Sequence, residues 1–442
     1  MRVEQRGLRH RIEPLPNSLT VIAAREDEAM KQRKVFEIPK ALVWQSYQQV
    51  RKNRGAAGSD GKTLKEFDKN RDRNLYKIWN RLSSGSYFPP PVLEKKIPKG
   101  DGKERTLGIP TVADRVAQGA VKIYLEKILE PEFDEDSYGY RPKKSAHDAL
   151  EVCKRRCWRH SWVLELDIQA FFDCVRHDLV LKALKHHQVP QWVLLYCQRW
   201  LEAPSVEEVG QQSTEVRQLG TPQGGVISPL LANLFLHHAF DHWMRLEQPK
   251  VAFERYADDM VCHCDTMKQA LELKEALEKR MGEVGLTLHP KKTQVVYVDT
   301  FKRYNVKTSF TFLGYDFQLR VVKSRKGELI RVCMPGASKK AMKEITKTIR
   351  SWKIHRGTAE TPKQLARRYN ATVRGWISYY GKHWYRNFSY RLWSVLQSRL
   401  IKWMEAKYRL GVRAATNRLK LMRKEEPTLF AHWHLLRAST NT

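Results

Sequence analysis

"FERYADDMVCH", residues 253–263, sets two carboxylates side by side in an otherwise apolar stretch. Phe253, Tyr256 and Ala257 precede them, and Met260 and Val261 follow. In a segment patterned for burial, adjacent anions repel, and each loses hydration worth several kcal/mol. Asp258 and Asp259 therefore need either open water or a cation. "VAFERYADDMVCHC" reads as two short apolar strands around a turn. Aspartate tolerates turn geometry, so the pair alone is compatible with a solvated hairpin tip.

A third acid changes the balance. "WVLELDI" (162–168) alternates like a strand entering a core, with Asp167 near its end. If both segments share a sheet, Asp167 and the turn acids converge. Such a site suits hard divalent ions, which bind oxygen, take few protein carboxylates and leave room for substrate phosphates. Two ions about 3.5–4 Å apart stabilise the attacking and leaving oxygens of phosphoryl transfer. Asp173 and Asp178 read instead as a local hydrogen-bonding residue and a helix-start residue.

The chain around these acids is strongly basic. Its 442 residues carry 80 Lys and Arg against 48 Asp and Glu, a net charge of +32. That excess opposes compaction and attracts polyanions, and solubility requires far less. From Gly336 to Thr442 there are 24 basic and 5 acidic residues, net +19, together with six of the 13 tryptophans (352, 376, 384, 393, 403, 433). Basic side chains interleaved with aromatics suit a surface that grips phosphates and stacks on bases; helix-packing core is the ordinary role for the tryptophans themselves. No stretch approaches a membrane span, and the N-terminus has no apolar signal region. The seven cysteines (153, 157, 174, 197, 262, 264, 333) form no CxxC pair, so buried free thiols in a reducing cytoplasm are expected.

The remaining pattern is mixed α/β followed by helices. "YFPPPVLEKKIPKGDGKERTLGIP" (87–110) reads as a hairpin turning at 100–102, and 112–123 as a helix ended by Pro131. Residues 177–187 form an amphipathic helix, Ser228 and Pro229 open a buried one, and Ala270 to Val284 line one face of another before Gly285. "TQVVYV" and "FTFLGYDFQL" read as strands, and helical spacing takes over from about 337. This order fits an α+β fold, an antiparallel sheet backed by helices.

The motifs also resemble a known family. "LDIQAFFD" (166–173), "GTPQGGVISPLLANLFL" (220–236), "YADD" (256–259), "GLTLHPKKTQ" (285–294) and "FLGYDF" (312–317) follow the block order of reverse transcriptases. "NRGAAGSDGKTL", "IPKGDGKERTLGIPTVADRVAQGAVKIYLEKILEP", "DSYGYRPKKSAHDAL", "GWISYYG" and "PTLFAHW" narrow the likeness to bacterial group II intron-encoded reverse transcriptase/maturases, from about residue 40 to 433.

The resemblance implies a right-hand polymerase: an extension over 1–35, fingers and palm over 36–325, a helical thumb/maturase region over 326–408, and a small basic DNA-binding segment over 409–442. Asp167, Asp258 and Asp259, Asp259 the least direct, would hold two Mg²⁺ ions (Mn²⁺ a possible substitute), with the backbone carbonyl of Ile168. Phe172 would exclude a 2′-hydroxyl, although plain core packing is its ordinary role. Lys99 and Arg105 would reach the triphosphate of a dNTP, and Gln223 the nucleotide or template backbone. Lys292, with Lys291, would meet phosphates, or else be a solvated pair at a turn.

Residue 169 is Gln where the family commonly has a basic residue. After "FAHW" only nine residues remain, so a DNA-cutting domain is expected to be absent. The implied partners are RNA template, intron RNA, DNA primer or target, and dNTPs, with no membrane and oligomeric state open. The implied setting is the bacterial cytoplasm, on the nucleoid when bound to DNA. Two further readings stay open: an RNA-binding splicing cofactor acting mainly through tail charges such as Arg367, Arg368 and Arg374, and a domesticated free-standing reverse transcriptase.

Overall fold

The computed structural model describes residues 35–98, 104–209, 216–298, 304–324 and 326–435. Three helices come first: α1 (Lys40–Asn53), α2 (Leu64–Lys69) and α3 (Arg71–Ser83). A capping box starts α2: Thr63 Oγ1 accepts from Glu66 N–H while the Glu66 carboxylate accepts from Thr63 N–H. Strands β1 (Val92–Pro98) and β2 (Glu104–Ile109) pair antiparallel, as the hairpin reading anticipates. Its turn, with Lys99, lies outside the described residues.

Helices α4 (Val112–Leu129) and α5 (Ala146–Arg156) lead into β3 (Trp162–Asp167). A single turn α6 (Phe171–Cys174), then α7 (His177–His186) and α8 (Gln191–Leu201), bring the chain to a short strand β4 (Ser205–Val206), which lies parallel to β1. Helix α9 (Ser228–Leu236) opens with Pro229 in its first turn, as expected, and is buried almost throughout. It runs through a π-helical turn (His237–Asp241) into α10 (His242–Glu247).

The hairpin β5 (Ala252–Tyr256) and β6 (Asp259–Cys264) then forms, followed by α11 (Met267–Glu283) and β7 (Gln294–Tyr297). These strands make one antiparallel sheet in the order β5-β6-β3-β7. The alternation read from the sequence decides its faces. Trp162, Leu164 and Leu166 of β3 and Met260, Cys262 and Cys264 of β6 pack on α9 and α11. Val163, Val261 and Val296 face the other way, against α5 and a second sheet.

That second sheet departs from the sequence reading. "FTFLGYDFQL" is two strands, β8 (Ser309–Phe312) and β9 (Tyr315–Lys323), because Leu313 and Gly314 both take positive φ (50° and 76°) in a two-residue hairpin turn. Strand β10 (Leu329–Ala337) pairs with β9 along its whole length. A division at 325/326 therefore passes through a hairpin, and residues 329–337, placed by sequence in the helical region, are strand. Short exposed segments such as "ELIRV" carry no helical period strong enough to mark this. Helices α12 (Lys339–Ser351), α13 (Pro362–Tyr380), α14 (Tyr385–Tyr408) and α15 (Val412–Glu425) complete the chain, broken near Gly357–Pro362 and at Gly411 as read. Among the described residues no helix is long and apolar enough to cross a membrane.

A buried polar network steadies the loop before α9. The Asp114 carboxylate accepts hydrogen bonds from Tyr87 (2.9 Å), Trp200 (2.8 Å) and Gln118 (2.9 Å). Gln118 Oε1 in turn accepts from Val226 N–H at 2.7 Å. Burial dominates these donors and pushes the Asp114 carboxyl up to about 6. A raised folded-state pKa stabilises below the unfolded value and is lost as pH rises through the folded one. Apart from a constant offset, the stability of wild type relative to Asp114→Asn should fall by up to about 3 kcal/mol between about pH 4 and 6. Urea denaturation at stepped pH measures this, and a flat difference would contradict it.

Candidate active site

The turn carrying the acid pair is fixed from below. Arg255 on β5 is fully buried and forms a two-pronged pair with Asp241, Nε to Oδ1 at 2.6 Å and Nη2 to Oδ2 at 2.5 Å. The π-helical turn brings Asp241 under the sheet. Burial would raise the Asp241 carboxyl, but the charge and hydrogen bonds of Arg255 hold it below the usual value. The remaining Arg255 nitrogen, Nη1, donates to Asn233 Oδ1 (2.9 Å) and to the Ala257 carbonyl (3.3 Å). Asn233 Nδ2 donates to the Gly139 carbonyl at 2.6 Å. Ala257 itself takes φ 56°, and a Cβ on Gly139 would sit 2.4 Å from its nitrogen. Only glycine lets the 136–139 segment lie this close to the turn.

Above this support, sheet register does the convergence expected from sequence. Asp167 is paired directly with Asp259 across β3 and β6. Asp167, Ile168, Phe172, Gln223, Arg105, Lys292 and Asp258 all line one cavity of about 890 Å³. Asp167 at the end of β3 and Asp258 in the β5–β6 turn thus open into the same space. Asp259 is not among the residues lining that cavity, and its Oδ2 accepts from Leu313 N–H at 3.3 Å. Burial, then the carboxylates of Asp258, Glu165 and Asp167, push the Asp259 carboxyl up to about 8 against that hydrogen bond.

Lys292 Nζ lies 2.9 Å from Asp167 Oδ2, a cation already drawn to the acids. Lys291 does not line the cavity. Phe172, half-buried, packs edge-on against Phe171 (5.4 Å). Its carbonyl accepts from Thr221 N–H at 2.7 Å, which docks the "GTPQGG" loop beside it. There Gly224 takes φ 121°, and a Cβ would meet the Gly108 carbonyl at 2.4 Å, so the loop seats directly on β2. Asp178 pairs with Arg176 at the start of α7, as read, whereas Asp173 is exposed on the cavity wall.

Several cavity residues escaped sequence reading, the basic Arg217 among them. His289, whose N–H donates to the Asp167 carbonyl at 2.7 Å, lies inside "HPKKT", where the lysines drew attention. Tyr140, at φ 57°, follows Gly139 and faces Asp258; burial first, then Asp258, raises its phenol. The buried Arg255–Asp241–Asn233 support was missed as well, since its partners are scattered along the sequence.

A hard divalent cation fits this donor set: the ligands are carboxylate oxygens set on neighbouring strands and their turn, and an ammonium already sits against one of them.

Comparison with known proteins places the chain in a family. A family profile described as "Reverse transcriptase (RNA-dependent DNA polymerase)" matches residues 97–317, and one described as "Group II intron, maturase-specific domain" matches 342–421. The group II intron-encoded protein LtrA of Lactococcus lactis subsp. cremoris is 30% identical over 299 residues, covering 64% of this chain and 48% of that protein. Protein YkfC of Escherichia coli (strain K12) is 32% identical over 289 residues, 57% of this chain and 72% of its own. A putative COX1/OXI3 intron 1 protein of Saccharomyces cerevisiae is 23% identical over 433 residues, 80% of this chain and 51% of its own. The chain belongs to the reverse transcriptase family. More particularly, it joins the reverse transcriptase region to a group II intron maturase-specific domain. It spans about half the length of two of these relatives.

Removing one member of a buried ion pair strands the other charge and costs about 3–5 kcal/mol. Asp241→Ala should destabilise the protein by that amount, measured by chemical denaturation. A loss below about 1 kcal/mol would mean the pair does not hold the turn.

Proposed function

We propose that this protein is an RNA-templated DNA polymerase that also binds intron RNA as a maturase, assisting splicing and retrohoming. The observation that carries the reading is the convergence of Asp167 and Asp258 on one cavity with Arg105, Phe172, Gln223 and Lys292 around it. In this reading α1–α3 and the β1–β2 hairpin are the fingers, the four-stranded sheet is the palm, and the helices from α12 are thumb and maturase region, with 409–442 a small DNA-binding segment.

Asp167, Asp258 and the Ile168 carbonyl would hold two Mg²⁺ ions, with Mn²⁺ a possible substitute, and Asp259 would contribute less directly. When bound, the ions would ease deprotonation of the primer 3′-hydroxyl and offset charge on the departing pyrophosphate. The rest of the site binds and orients. Arg105 and Lys292, with Lys99 of the hairpin turn, would pair with the triphosphate of a dNTP. Lys292 would exchange its contact with Asp167 for a phosphate as the ions arrive. Phe172 would close the sugar pocket against a 2′-hydroxyl. Gln223, on a loop pinned through Gln118 to the buried Asp114 network, would lie against the nucleotide or template backbone.

The basic tail supports the RNA-binding half of the reading. Arg367, Arg368 and Arg374 are exposed on α13, where phosphate contacts need no active site. The tail tryptophans serve differently: none of the six is exposed, and Trp352 stacks on Tyr369 at 4.4 Å, so they pack helices. A chiefly RNA-binding splicing cofactor is the second reading, favoured by this exposed charge alone. The setting that fits either is the bacterial cytoplasm, on the nucleoid when DNA is bound.

The test is primer extension on an RNA template with dNTPs and Mg²⁺. Wild type should make cDNA, and Asp258→Ala should lose several kcal/mol of transition-state stabilisation, about 10³-fold or more in rate. A folded wild type that binds RNA without extending primers would overturn the polymerase and leave the splicing cofactor.

A further inference from the structure

The turn between β8 and β9 stands between the acid site and the helices that follow. Leu313, in that turn, makes two bonds at once. Its N–H donates to Asp259 Oδ2 at 3.3 Å, and its carbonyl accepts from the Tyr379 hydroxyl at 2.8 Å. Tyr379 lies near the end of α13, within the maturase-specific match at 342–421. Leu313 and Asp259 lie within the reverse transcriptase match at 97–317. A single residue therefore links the two regions at one of the three acids.

Leu313 is held in a shape that its own chemistry does not favour. Its φ of 50° belongs to the left-handed region, which L side chains adopt at a cost. Two-residue hairpin turns with positive φ at both positions usually carry Asn ahead of Gly. An outside contact that fixes this turn offsets the cost of leucine there.

Tyr379 is well anchored to supply that contact. Carbonyls in the last turn of a helix lack intrahelical partners. The Tyr379 carbonyl finds two elsewhere: His147 Nε2 of α5 donates to it at 2.8 Å, and so does the Tyr315 hydroxyl of β9. The rings of Tyr315 and Tyr379 also pack at 5.7 Å. Burial first, then Tyr380, Tyr256 and Asp259, pushes the Tyr379 phenol up to about 12, so it remains a donor at neutral pH. Tyr379 does not line the catalytic cavity.

We propose that Tyr379 is a positioning residue for DNA synthesis: its hydroxyl holds the Leu313 turn, and the Leu313 N–H then keeps the Asp259 carboxylate oriented beside Asp258. The inference rests on the polymerase reading above. It adds that the rate of synthesis depends on how the maturase-specific domain is seated against the acid site. Because Tyr379 stands outside the cavity, losing its hydroxyl should slow chemistry and leave nucleotide binding alone.

Single-turnover primer extension and hydrogen exchange of the folded full chain test this together. Tyr379→Phe removes the hydroxyl and keeps the ring. It should lower the maximal incorporation rate about 3- to 10-fold, the worth of one net hydrogen bond, with the half-saturating dNTP concentration unchanged. Without substrates, exchange across residues 309–317, followed by mass spectrometry, should quicken. Tyr380→Phe, a neighbouring phenol packed on Tyr315 at 5.5 Å, should match wild type in both. Leu313→Asn suits a left-handed turn by itself, so adding it to Tyr379→Phe should restore most of the lost rate. A merely structural role for Tyr379 would give no such rescue. Normal rate and exchange in Tyr379→Phe, or a double variant no faster than the single, would overturn the proposal. A wild type that makes no cDNA would overturn the polymerase reading instead, with exchange still deciding whether Tyr379 holds the turn.

Discussion

A fully buried guanidinium, Arg255, clasped by Asp241, is the interaction on which the site depends. Two charges removed from water cost several kcal/mol each, and only near-ideal geometry with every hydrogen bond made offsets that. Here the arginine spends its remaining donor capacity on Asn233 and on the carbonyl of Ala257, at the turn that presents Asp258 and Asp259. The pair thus converts a costly burial into a fixed position for two further carboxylates. A flexible hairpin tip would let those acids swing apart, since they repel.

From that turn outward, each part is positioned by the one beneath it. Register sets Asp167 opposite Asp259, the strand end delivers Ile168 and the one-turn helix bearing Phe172, and the Phe172 carbonyl docks the loop bearing Gln223. Precision comes from sheet geometry and main-chain hydrogen bonds, with loops supplying only the final side chains. The same sheet has two unlike faces. One packs on helices as a plain apolar core; the other carries a polar seam of thiols, His263, Glu254 and Arg156 between the hairpin and α5.

Much of this was legible in the chain. Period-two alternation in "WVLELDI" and the apolar runs about "ADD" marked each segment as strand, whereas their sharing one sheet was a condition that only the pairing of β3 with β6 meets. The buried helix opening at Ser228 and Pro229 was legible for a similar local reason, since proline is favoured in a first helical turn. The β9–β10 hairpin was less so: its outer half is exposed, so no buried face imprints a pattern on it. The supporting ion pair was invisible, since Arg255, Asp241, Asn233 and Gly139 meet only after folding. So was the hydrogen bond that Asp259 accepts from Leu313 of another sheet. The tail's charge was read correctly as exposed, and its tryptophans proved to be packing.

The central claim is that Asp167 and Asp258 together form a site for two divalent ions in a polymerase. Electron paramagnetic resonance of Mn²⁺ titrated into the protein with an RNA template, a 3′-deoxy-terminated DNA primer and the next dNTP tests it directly. The account predicts two bound ions, close enough to couple magnetically, and their loss in Asp258→Asn. Unchanged Mn²⁺ binding in that variant would contradict it.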